Sequence, residues 1–102
     1  MPVNALDLVG KEIITSDGRN LGSVSDIAFD VTTWRVRDLR AAIDKRVAEE
    51  LGLPKRMGGG QFLIKTEHVK GVGDHILLAT TMKGLAEMAA SAQKTGDQEP
   101  FD

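Results

Sequence analysis

Residues 21–39 read LGSVSDIAFDVTTWRVRDL, and the spacing of their apolar side chains decides the fold. Ile27, Phe29 and Val31 alternate with polar or small residues, as in a strand with one buried face. Val24 precedes Ile27 by three positions rather than two, so the pattern changes phase at Ser25 and Asp26. One inserted residue there is a β-bulge, which bends a strand and lets a small sheet coil. The same break recurs from Val36 to Leu39, after which Leu39, Ala41 and Ile43 alternate. Thr32 and Thr33 mark the turn between the two strands. Two phase breaks in neighbouring strands predict a small, strongly coiled sheet.

On the N-terminal side, residues 1–8 read as a lead-in, with Leu6, Leu8 and Val9 available to cover one end of the sheet. Residues 10–15, GKEIIT, form a short strand. The following Ser-Asp-Gly-Arg at 16–19 is a tight turn, because Asp-Gly supplies the positive φ that hairpin turns require. Gly22 lacks a side chain and would let another backbone approach closely. These segments make a meander of three sequential antiparallel strands.

Beyond Ile43 the period changes. Ile43, Val47 and Leu51 lie four apart, which predicts a short inserted helix over about residues 44–52. Asp44 is placed to cap its start, and Gly52 and Pro54 to stop it. Residues 53–60, LPKRMGGG, read as a connecting loop. Residues 61–66 resume strand character with Phe62 and Ile64 on one face, and residues 67–70 form a bend or a single helical turn. A last strand is expected over residues 72–81, with Gly73 and Asp74 making a turn or bulge within it. Ile76 and Leu78 then face inward, while Leu77 and Ala79 face outward and need a cover. A C-terminal helix over about residues 82–93, with Met82, Leu85, Met88, Ala89 and Ala92 at helical spacing, is the candidate cover. Residues 94–102 are polar with Gly and Pro and read as a disordered tail.

The chain of 102 residues is one domain, with room for a modest core but not for a large enclosed active site. It contains no cysteine, which removes disulfides, thiolate metal sites and thiol nucleophiles, and fits a reducing compartment. A net charge of −2 gives no global attraction to nucleic acid. The N-terminus lacks a signal-peptide layout, and no apolar run approaches the roughly 20 residues that span a bilayer. A cytoplasmic domain is expected.

The residues offer little chemistry. His68 and His75 are the only histidines, and the adjoining Glu67 and Asp74 would project to opposite faces of a strand, so no chelate is expected. The glycines at 58–60 beside Lys55 and Arg56 precede a strand and carry no P-loop signature, and Gly71-Val-Gly73 does not continue into a dinucleotide fingerprint. No catalytic, cofactor-binding or metal residues are assigned. Arg35, Arg37 and Arg40 behind Trp34 form the most concentrated basic region. That region is either an RNA-binding surface combining stacking with phosphate contacts or the solvated face of a strand paired with Asp26, Asp30 and Asp38. Trp34 is a core residue or an interface anchor.

In order and spacing, several of these patterns resemble the PRC-barrel family. The matching residues are Leu8-Val9-Gly10-Lys11, Ser16-Asp17-Gly18, Leu21-Gly22-Ser23-Val24, Asp26 through Asp30 and Val36-Arg37-Asp38-Leu39. After the insertion at residues 44–60 the match resumes at Ile64, His68-Val69-Lys70 and residues 72–78. The resemblance implies a mainly β fold, a small barrel of two coiled antiparallel sheets over residues 1–81, used for assembly and without common catalytic residues. Similar stand-alone domains, frequent in archaea, tend to be homodimers, and some are implicated in FtsZ-dependent cell division through the membrane-anchoring protein SepF. Related domains also occur in a ribosome-maturation factor. The insertion is long for a minimal member, and neither a transmembrane segment nor a second domain is expected beside the barrel. The expected function is therefore a non-enzymatic, cytoplasmic, homodimeric adaptor partnered by SepF or another PRC-barrel protein. The alternative is an RNA- or ribosome-associated factor using Trp34, Arg35 and Arg37. Partner-contact candidates are Trp34, Val47, Leu51, Met57, Leu77, Met82, Leu85 and Met88.

Overall fold

A short helix, α1 (Ala5–Leu8), opens the computed structural model, which describes residues 4–53 and 60–98. The meander follows as β1 (Glu12–Ile14), β2 (Asn20–Asp30) and β3 (Arg35–Ile43), then α2 (Lys45–Glu50) and β4 (Gly60–Lys65). A 3-10 turn (Thr66–His68) leads to β5 (Val69–Val72), β6 (Ile76–Leu78) and α3 (Met82–Gln98). All six strands belong to one sheet, ordered β4-β3-β2-β1-β6-β5.

Both phase breaks are bulges. Val24 opposes Ala41 and Asp26 opposes Arg40, which leaves Ser25 as the extra residue. Its hydroxyl donates to the Arg40 carbonyl at 3.1 Å, so the bulge satisfies a ladder group instead of wasting one. Further along, Ala28 opposes Asp38 while Phe29 opposes Val36, so Arg37 is the second extra residue. The Ser25 insertion keeps Val24 and Ile27 on the face of Leu39 and Ala41, where they meet Ile64 of β4, and the Arg37 insertion keeps Val36 against the same core. Gly22 has φ +150°, and a Cβ there would stand 2.2 Å from the Ala42 carbonyl oxygen. The close backbone approach expected at this glycine is therefore present.

The core gathers Ile13, Leu21, Val24, Leu39, Ala41, Ile43, Ile64, Ile76 and Leu78 from the strands. Val47 and Ala48 join it from α2 and Leu51 from the helix's C-terminal cap, while Ile43 of the expected stripe belongs to β3. The N-terminus of α2 is capped as expected by the Asp44 carboxylate accepting the Val47 N–H at 2.8 Å. Gly52, at φ +76°, ends the helix.

Several expectations need correction. There is one sheet, not two, and it is open, because β4 and β5 are its edges. It is also not wholly antiparallel: β6 lies parallel to β1, with Ile13 opposite Ile76 and Ile14 opposite Leu77. Strand β4 runs against β1, as β5 does, and the reversal between β5 and β6 returns the chain in the direction of β1. The single last strand is two, since the Gly73 N–H bonds the His75 carbonyl and reverses the chain between β5 and β6. Helix α3 does not cover the outer face of β6. Its Met82, Leu85 and Ala89 are buried, and Met82 and Leu85 join the core that holds Ile76 and Leu78, the inward residues of β6. Leu77, on the opposite face, stays 46% exposed. The helical backbone of α3 also runs past residue 93 to Gln98, over part of the segment expected as tail. Leu6 is exposed and covers nothing, whereas Leu8 packs on the core.

Candidate functional site

The β2–β3 hairpin reaches past the core, and its end is apolar. Asp30 organises the turn: its carboxylate accepts the Thr32 N–H at 2.9 Å, and its carbonyl accepts the Trp34 N–H at 2.7 Å. To re-enter the ladder at Arg35, Trp34 adopts φ 59°, the left-handed region that glycine or asparagine usually fills. Bulky Trp34 occupies it while 78% exposed. Val31 is 70% exposed and Phe29, on the face it shares with Val36, is 46% exposed. The alternation expected through Ile27, Phe29 and Val31 holds for the first two, because β2 ends at Asp30 and Val31 lies in the turn. Ile27 packs on the core, and the others run out beyond it.

Beside the hairpin, Arg35, Arg37, Lys65, Asp30 and Glu67 line a shallow polar depression of about 410 Å³. Its charges largely cancel. Arg37 donates from Nε to Asp38 at 2.8 Å, and Arg35 stands opposite Asp30 in register. The Asp38 side chain is mostly covered, so this adjacent pair is the better-defined of the two. Of the three arginines Arg37 is ion-paired, with Asp38, while Arg35 and Arg40 stand opposite Asp30 and Asp26 in the ladder.

A second concave region lies between β4 and α3. It measures about 460 Å³ and is lined by Phe62, Leu63, Ile64, Leu85, Met88 and Ala89, with Lys65 and His68 at its rim. Leu63 is 55% exposed.

Both histidines lie outside the strands, His68 in the 3-10 turn and His75 just before β6. His75 Nε2 lies 3.2 Å from Glu12 Oε1 across the β1–β6 junction, and His68 Nε2 lies 3.8 Å from Glu67. Among the described residues no group of three or more His, Cys, Asp or Glu side chains could hold a metal ion. No described helix is long and apolar enough to cross a membrane.

A polar cluster ties the first turn to α3. Thr15 is buried; its hydroxyl donates to Asp17 Oδ1 and accepts the Arg19 N–H at 2.9 Å. Asp17 Oδ1 also accepts the Met82 N–H at 3.3 Å, and Ser16 N–H bonds the Thr80 carbonyl at 2.9 Å. The Thr15 hydroxyl, with help from the Met82 N–H, holds the Asp17 carboxyl below its ordinary range. Thr81 caps α3 through the Gly84 N–H at 3.0 Å. Nearby, one Arg19 guanidinium nitrogen donates to both Glu50 oxygens at 2.7 and 2.6 Å, which raises the arginine's already high pKa.

The eight partner-contact candidates divide. Val47, Leu51, Met82 and Leu85 are in the chain's own core, because the helical stripes that singled them out are the stripes that seal the sheet. Those four have no surface to offer without opening the core. Trp34, Leu77 and Met88 are exposed or half-exposed, respectively at the hairpin end, on the outer face of β6 and in the groove beside β4. They do not form one surface. Met57 lies outside the described residues. Phe29, Val31 and Leu63 are exposed apolar side chains outside that set of eight. For Val31 a signal existed, since it adjoins the Thr-Thr turn where a strand leaves its core.

A family model described as PRC-barrel domain matches residues 3–85. The chain belongs to the PRC-barrel family. A search of curated proteins gives no match.

Proposed function

We propose that this PRC-barrel protein is a non-enzymatic adaptor of the cytoplasm, which assembles as a homodimer and holds a partner protein at the end of its β2–β3 hairpin. The observation that carries this is Trp34, 78% exposed in a backbone conformation that costs a bulky residue stability. Together with Phe29 and Val31 it makes an apolar tip of the kind that anchors protein interfaces. PRC-barrel membership supports an interaction module, and the resemblance to archaeal division proteins supports SepF, or a second PRC-barrel protein of an FtsZ-based complex, as the partner.

The test pairs sedimentation at micromolar concentration with direct binding of purified SepF to the wild type and to Trp34→Ala. A dimer whose SepF binding is lost in Trp34→Ala is the expected result. A monomer that binds neither SepF nor another division protein overturns the proposal.

An RNA-associated role has one observation in its favour: the exposed Trp34 indole adjoins the exposed Arg35 and Arg37. It requires RNA binding that weakens with salt and falls further in the Arg35→Ala, Arg37→Ala double variant. Absence of binding at low salt disposes of it.

A further inference from the structure

The two edges of the open sheet are unlike. At one edge, β5 is four residues long, bulged between Val69 and Gly71, and carries Lys70. Those are the usual devices that keep an edge from pairing with another chain. At the other edge, β4 pairs with β3 through an unbroken register from Asp38↔Lys65 to Ile43↔Gly60. It has neither a bulge nor a proline, and its centre is Phe62-Leu63-Ile64. Among the described residues nothing pairs with its outer side. Alternate N–H and C=O groups of a strand point away from its one neighbour, so β4 presents a row of them beside the apolar groove under Leu85 and Met88.

From this edge we infer that β4 is the self-association surface, pairing antiparallel with β4 of a second copy about a two-fold axis through Leu63. The inference rests on the homodimeric reading proposed above and gives it a geometry. A two-fold axis normal to a sheet keeps each face on its own side, so a residue must oppose one of the same parity and the axis must pass through a residue. With the axis at Leu63, Leu63 meets Leu63 on the outer face, and each covers the other's exposed side chain. Phe62 meets Ile64 of the second copy on the inner face, where both border the groove. Lys65 meets the neutral amide of Gln61, so no like charges are opposed. Placing the axis at Phe62 would instead set the exposed Leu63 against Gln61, and placing it at Ile64 would set Leu63 against Lys65. The strand is complementary to itself in one register above the others, and that favours a second copy over a foreign strand.

The absence of native cysteine gives a clean test. Residues directly opposed in an antiparallel ladder have Cα atoms about 4.5–5.5 Å apart, within the range a disulfide spans. Single variants Leu63→Cys, Gln61→Cys and Lys65→Cys are oxidised and run without reductant, alongside sedimentation of each reduced protein and of the wild type. The expected result is a covalent dimer from Leu63→Cys alone, and from a mixture of Gln61→Cys with Lys65→Cys, but not from either of those two singly. A companion variant, Leu63→Lys, at a half-exposed outward position, sets two lysines on the axis and should weaken the dimer at least about tenfold with the circular dichroism of the monomer fold unchanged. A dimer that neither cross-links through Leu63→Cys nor weakens in Leu63→Lys overturns the β4 pairing and leaves the adaptor proposal standing on another interface. A monomeric wild type overturns the pairing and the homodimer together.

Discussion

The Ala42 carbonyl oxygen lies 2.2 Å from the point where a β-carbon on Gly22 would stand. No L side chain fits that gap without parting β2 from β3, and the obstacle is backbone, not a flexible side chain. Gly22→Ala adds the cost of φ +150° to the clash. The expected loss is about 2–5 kcal/mol, read from urea unfolding followed by circular dichroism. Gly18→Ala, where nothing lies within 4 Å, carries only the conformational cost at φ +82° and should lose about 1 kcal/mol.

Asp17 gives a pH signature. Its carboxyl is held below the ordinary value of 3.8, first by the Thr15 hydroxyl. A depressed carboxyl contributes stability that is fully present above its unfolded pKa and is lost as pH falls through the folded value. Asp17→Ala should therefore melt at a lower temperature than the wild type at pH 7. The gap should persist down to about pH 4 and narrow below it. Thermal melts from pH 7 to pH 3 check this. A gap that grows on acidification would contradict the Thr15–Asp17–Met82 tie.

Leu85 and Met88 separate core from surface on one helix. Leu85 is 1% exposed, and Leu85→Ala should cost about 2–5 kcal/mol through the cavity it leaves. Met88 is 38% exposed in the groove, and Met88→Ala should stay within about 1 kcal/mol. Denaturant unfolding of the two variants distinguishes them. Similar losses at both positions would mean that α3 seals the sheet by a different face.

Trp34→Gly should raise stability by about 1 kcal/mol, because glycine accepts φ 59° without a Cβ penalty. The same variant should lose partner binding, and stability rising as binding falls marks a residue kept for contact rather than for folding. Trp34 is the sole tryptophan, so fluorescence reports this tip alone. Quenching by acrylamide should be nearly as strong in the folded protein as in urea.

Much of the sheet was legible because steps of two and three are visible in a single chain. The Val24 to Ile27 and Val36 to Leu39 steps correspond to bulges at Ser25 and Arg37, and Asp44 caps α2 as its position suggested. Gly22 gave its reason in advance. What could not be read is what depends on distant neighbours. Nothing local distinguishes the stripe of α2 as core from the same stripe as interface, and only the folded chain shows Val47 and Leu51 buried in the core. The alternation through Phe29 and Val31 does not state where the strand ends, and β2 stops at Asp30, one residue before Val31. Leu63 looked like any outward strand residue until the strand order placed β4 at an edge. Asp17 read as a turn former, and its bond to Met82 spans a separation no local pattern encodes.

The parallel seam between β1 and β6 has a consequence for how the chain is made. The β1–β2–β3 meander closes through short turns and can form as soon as its last strand emerges. The β1 edge next to Ile13 and Ile14 must wait for Ile76 and Leu77, which arrive when most of the chain has been synthesised. A growing or truncated chain ending before Ile76 lacks the partner of this edge, together with Ile76, Leu78, Met82 and Leu85 of the core. Joining the C-terminal hairpin is the late, long-range step, and its completion leaves β4 as the unblunted edge of the sheet.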